Sequence, residues 1–105
     1  MTIKCVMLPF PQGVVGCNGL CIGMEYGYKV AINSSACDLH RRHAFGHEMA
    51  HIVLDHMNQH GRAIMMQENE ANAMAWECYR KFKNHYNDLV SGETTFELSP
   101  NTGSI

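Results

Sequence analysis

The sequence predicts an α+β fold: a small antiparallel sheet packed on one histidine-bearing helix, with a second helix alongside. Three observations predict it. Two apolar-rich runs of strand length flank a short glycine-bearing link, a later run repeats apolar and imidazole side chains at steps of three and four, and a second run of that period follows a break at residues 58–61. A chain of 105 residues, 46% hydrophobic and 17% charged, is globular in balance and buries one modest core. We therefore expect a single domain over residues 1–90 and a flexible tail over 91–105, where Ser, Thr, Gly and Asn crowd out large apolar groups.

Residues 3–8 read as a short strand closed by Pro9 and Pro11, since proline donates nothing to a ladder. Residues 12–19, with Gly13, Gly16 and Asn18, are turn material. Residues 20–24 and 28–33 read as a β-hairpin around Glu25-Tyr26-Gly27, and the strand 28–33 is the expected free edge for an extended substrate. Ser35 stands three residues before Asp38, the spacing at which a hydroxyl caps a helix and an acid returns to it. That helix is expected to end near Met57, with Leu39, His43, His47, Ala50, His51 and Leu54 along one face. A second helix is expected over about 67 to 89, on the spacing of Ala71, Met74, Ala75, Cys78, Phe82 and Leu89.

Eight Lys and Arg against ten Asp and Glu leave a net charge of −2, which excludes a broad basic surface and argues against direct nucleic-acid binding. No apolar stretch approaches the roughly 18 residues of a membrane span, and residues 1–10 lack the apolar region of a signal peptide. Five cysteines, an odd number without a secretion signal, point to reduced thiols and a cytoplasmic setting.

The chemistry concentrates in His47-Glu48-Met49-Ala50-His51. Two histidines four residues apart lie about 40° apart around a helix, so both rings project to one side and can share a Zn²⁺. Glu48 stands beside the first of them, where its carboxylate can act as a general base without coordinating the metal. With seven His and seven Glu in the chain, chance supplies about 0.03 such patterns, so the motif is informative on its own. A catalytic zinc takes three protein ligands, and Glu70 is the expected third: it lies at the start of the second helix, nineteen residues past His51, on the edge of the stripe of Ala71, Met74 and Cys78. Ala71 and Ala75 are small enough to let the two helices approach. Glu68, Asp55 and His60 compete with Glu70. Glu68 is expected on the opposite side of the helix, and Asp55 could orient a ligand from behind.

The run His-Glu-Met-Ala-His (47–51), followed by Glu-Asn-Glu-Ala-Asn-Ala-Met-Ala (68–75), resembles the ImmA/IrrE family of zinc metallo-endopeptidases, over roughly residues 13–80. The resemblance implies a zincin-like fold, His47, His51 and Glu70 as zinc ligands and Glu48 as the base. It also implies a protein substrate, often a transcriptional repressor encoded on a phage or mobile element. Met74 departs from the Phe usual at that position, and the chain is shorter than relatives carrying DNA-binding or sensor domains. The metzincin pattern is excluded, because Leu54 and Met57 stand where it needs Gly and His. The alternative reading is a non-catalytic interaction module stabilised by zinc.

The remaining candidates carry less. His43, one turn before His47, could steady a developing oxyanion or serve as a hydrogen-bonded histidine beneath the site, and Tyr26, Tyr28 and Tyr79 could take the oxyanion role without a spacing argument. Cys17 and Cys21 form C-x₃-C but lack a paired C-x₂-C, so buried thiols are preferred to a second zinc. Arg41-Arg42 reads as a solvated charge pair, the methionines Met65-Met66 as core filler, and His56, His60 and His85 have no assignable partner.

Overall fold

The computed structural model describes residues 1–11, 17–59 and 61–99. Its chain order is β1 (Thr2–Leu8), β2 (Gly19–Met24), β3 (Gly27–Asn33), α1 (Asp38–Val53), a single 3₁₀ turn (His56–Asn58), α2 (Ile64–Lys81), α3 (Lys83–Ser91) and β4 (Thr94–Glu97). The four strands form one sheet in the order β2-β3-β1-β4. This is an α+β fold with three helices, and none of its helices, among the described residues, is long and apolar enough to cross a membrane.

The sheet is mixed, which corrects the expectation of an antiparallel one. The β2–β3 hairpin is antiparallel as its turn residues predict, but β1 runs parallel to β3 with Cys5 opposite Val30, and β4 runs antiparallel to β1. The chain passes from β1 to β2 at the far side of β3, so β3 enters the sheet between them. Both sides of β3 are therefore paired, which removes it as a free edge; among the described residues the free edges are those of β2 and β4.

Alternation decides what each strand buries. Tyr28, Val30 and Ile32 of β3 and Ile3 and Cys5 of β1 point to one face and are buried, while Lys29 faces solvent. On that face lie Phe45, Met49 and Ile52 of α1, with Tyr86 and Leu89 of α3 filling the core beyond them. Burying such side chains contributes about 1.5–3 kcal/mol each. Residues 94–97 belong to the sheet, a second correction: Phe96 and Leu98 alternate into the core while Thr95 and Glu97 face out, so only residues beyond 99 of the expected tail lie outside the description. The N-terminal amine donates to the Leu98 carbonyl at 3.0 Å, and the Leu98 amide donates back to the Met1 carbonyl at 2.8 Å.

The helices also differ from expectation in detail. Helix α1 begins at Asp38 behind Cys37, with no side-chain cap from Ser35, and ends at Val53. The second periodic run is two helices, broken at Phe82, whose amide still donates to the Cys78 carbonyl while its backbone leaves the helical region (φ −107°, ψ 20°). The close approach of α1 and α2 follows the small residues as predicted. Ala71 and Ala75 are fully buried, and a Cβ added at Gly46 would stand 1.9 Å from the Ala75 carbonyl oxygen, so only glycine fits there.

Candidate metal centre

Helix α1 presents His47 and His51 on one side, one turn apart, and α2 crosses them with Glu68 and Asn72, also one turn apart. The Nε2 atoms of the two histidines are 3.0 Å apart. The Glu68 carboxylate reaches both, with Oε2 2.8 Å from His47 Nε2 and Oε1 3.3 Å from His51 Nε2. Donors about 2.0–2.1 Å from a tetrahedral zinc stand about 3.3 Å from one another, and the contacts of the histidine pair with each other and with the two Glu68 oxygens fall near that spacing. His47, His51 and Glu68 are the one such group among the described residues.

The hydrogen bonds behind the rings agree with that reading. His47 Nδ1 donates to Asn72 Oδ1 at 2.7 Å, which leaves the Nε2 of a neutral ring as a lone pair facing the triangle. His51 Nδ1 is engaged at 2.8 Å with His56 Nδ1 on the far side of its ring. Lone pairs and a carboxylate packed this closely repel unless a cation or proton lies between them, and two imidazoles with one carboxylate suit Zn²⁺. Burial holds His51 below its ordinary pKa, His47 and His56 adding to this while Glu68 opposes it. Neutral imidazole is the form a metal requires.

Glu48 lines the same cleft, a hollow of about 630 Å³ between β2, α1 and α2. It is buried, and its carboxyl is pushed up to about 7, first by burial and second by the charge of Glu68. Gly19 of β2 packs on it so closely that an added Cβ would lie 2.9 Å from Glu48 Cγ. Cys21, beside it on β2, has its thiol pushed up to about 12 by burial and by the Glu48 charge.

The structure thus brings together His47, Glu48 and His51 as the spacing predicts, and places Glu68 rather than Glu70 beside the two rings. Glu70 does not stand at the histidine pair: it accepts from His56 Nε2 at 2.9 Å and from Arg62 Nη1 at 3.0 Å. The reason is helical phase. Glu68, Ala71, Asn72 and Ala75 follow one another at steps of three, one and three, which groups them on the side of α2 that meets α1, while Glu70 is turned about 200° from Glu68. The buried alanines marked this side in the sequence, and Glu68 lies one turn before Ala71 where Glu70 does not. Asn72 and His56 are the site residues that spacing missed.

Asp55 takes a left-handed conformation (φ 57°) that reverses the chain after α1, and it accepts from Asn58 at 2.6 Å without approaching the donors. His43 lines the cleft edge-on to Trp76, with ring centroids 5.4 Å apart, and its pKa is lowered by burial and then by His47 and His40. None of Tyr26, Tyr28 and Tyr79 lines the cleft. Cys17 and Cys21 line it as free thiols, and His60 lies outside the described residues. Met65 is exposed rather than core, and His85 stacks on Phe96 at 3.7 Å. Arg42 pairs with Asp38 at 2.7 Å.

Comparison with known proteins gives no matching family model, no matching curated protein and no matching solved structure.

Proposed function

We propose that this chain is a zinc-dependent endopeptidase in which His47, His51 and Glu68 hold the metal and Glu48 is the general base. One observation carries the reading: two imidazole Nε2 atoms 3.0 Å apart meet the Glu68 carboxylate, its two oxygens 2.8 and 3.3 Å from them, in an open cleft beside a buried glutamate. Zinc bound there would supply Lewis acidity, making water acidic near neutral pH and polarising a peptide carbonyl. The chain's own work is the rest. Glu48, held by burial near the pH at which a base is most useful, takes the proton of the attacking water and returns it to the leaving amine. The free edge of β2, whose Gly19, Leu20 and Cys21 line the cleft, offers backbone groups to an extended peptide that then passes Glu48.

The resemblance of the two helical segments to ImmA/IrrE proteases adds a zincin-like fold and a protein substrate of the repressor type, and five free thiols suit a reducing cytoplasm. The test combines metal analysis with activity. Wild type should carry one zinc and cleave its partner, His51→Ala should carry none, and Glu48→Gln should keep zinc and fold while losing cleavage. Full cleavage by Glu48→Gln sinks the catalytic role. Zinc uptake without any hydrolysis by wild type favours the non-catalytic, zinc-stabilised module.

A further inference from the structure

Behind the donor triangle runs a second line of contacts. His51 Nδ1 lies 2.8 Å from His56 Nδ1, His56 Nε2 lies 2.9 Å from Glu70 Oε1, and Arg62 Nη1 lies 3.0 Å from the same oxygen. Each contact holds one hydrogen, so the direction of the whole line is fixed from its outer end. Arg62 has donors only. It donates to Glu70 Oε1, so that oxygen is an acceptor. The hydrogen on the His56–Glu70 contact therefore belongs to His56 Nε2. A His56 ring that carries its one hydrogen at Nε2 has a lone pair at Nδ1, and the hydrogen between the two histidines then sits on His51 Nδ1. What remains on His51 is the Nε2 lone pair, facing His47 and Glu68. The His56 side chain is 2% exposed, so no bulk water competes for either ring nitrogen. Its place beneath His51 depends on the left-handed turn at Asp55, which folds the chain back within five residues.

We propose that His56 and Glu70 are positioning residues: polarity set by Arg62 at the surface passes through Glu70 and His56 and locks His51 in the tautomer whose Nε2 can bind a metal. The inference rests on the metal-centre reading, and it gives Glu70 a duty distinct from the ligand role of Glu68. Partners of this outer kind are commonly worth about 10- to 100-fold in metal affinity.

Two measurements test it. Nitrogen-15 NMR of the metal-free protein at pH 8 should show hydrogen on Nδ1 of His51 and on Nε2 of His56; hydrogen on Nε2 of His51 overturns the proposal. Zinc affinity, read by competition with a chelator, should fall about 10- to 100-fold in His56→Leu and recover most of that loss in His56→Asn, whose amide oxygen can accept where Nδ1 stood. A purely structural role predicts no such recovery, so equal losses in the two variants overturn the proposal. Glu70 is half exposed, so Glu70→Leu provides a folded variant if His56→Leu is not; it should populate both His51 tautomers and weaken zinc by up to about 10-fold. Zinc binding by wild type that neither His56→Leu nor Glu70→Leu alters overturns this inference alone. A wild type that takes up no zinc overturns the metal-centre reading and this inference with it.

Discussion

Glu68 and Glu70 sit two residues apart on one helix, with side chains 48% and 45% exposed, and yet they meet different neighbours. Glu68 lies on the side of α2 that packs on α1 and touches the Nε2 atoms of His47 and His51. Glu70 lies on the flank, where Arg62 and His56 engage it. Exposure does not distinguish the two carboxylates; angular position does. Both address His51, one at the nitrogen that faces the cleft and the other, through His56, at the nitrogen behind it.

That contrast can be broken or sharpened experimentally. The largest effect is expected from Gly46→Ala, whose methyl would collide with the Ala75 carbonyl and drive α2 off α1, separating Glu68 from the histidines. A loss of about 3 kcal/mol or more in urea unfolding is expected, and an unchanged midpoint would show that the helix contact does not hold the site. Next, zinc titration of Glu68→Ala should reveal an affinity loss exceeding about 100-fold, against no more than about 10-fold for Glu70→Ala. Equal losses would erase the distinction between ligand and positioning residue.

A smaller effect follows from Glu48. Its folded pKa of about 7 lies above its ordinary 4.5, so the carboxyl favours the fold when protonated, and that contribution is lost as pH rises from 4.5 through 7. Metal-free Glu48→Gln should therefore be more stable than wild type at pH 8, on the order of 2 kcal/mol, and indistinguishable from it at pH 4.5. The same gap at both pH values would remove burial of charge as the cause. Smallest is Gly19→Ala, where the added Cβ meets only the flexible Glu48 side chain. Stability should change by less than about 1 kcal/mol while any hydrolytic rate falls several-fold, and an unaltered rate would free Glu48 from its contact with β2.

Much of this arrangement was legible in the residues because local periodicity encodes it. The pair His47 and His51 at helical spacing, the hairpin around Glu25-Tyr26-Gly27 and the small Ala71 and Ala75 each state their own geometry. What was hidden depends on contacts distant in the chain. Alternation along β3 tells which side chains are buried but not that β1, rather than solvent, lies along its other side. Phe96 and Leu98 carry a period-two signal too short to stand out among serines and threonines. The carboxylate beside the histidines is hidden by helical phase: the stripe of α2 includes Met74, which is half-buried, while the fully buried Ala71 and Ala75 mark the contact with α1 and place Glu68 on it. His56 had no signal, since its partner depends on a left-handed aspartate that no spacing announces.

The reciprocal pairing of Met1 with Leu98 brings the residue that leads into β1 beside the core residue that follows β4. A few added residues joining 98 to 1 would close the backbone into a ring, which could be reopened at Gly61, between the two helices that flank the cleft. In such a circular permutant His51 and Glu68 would belong to opposite ends of the polypeptide, and the cleft would re-form only through the packing of its walls.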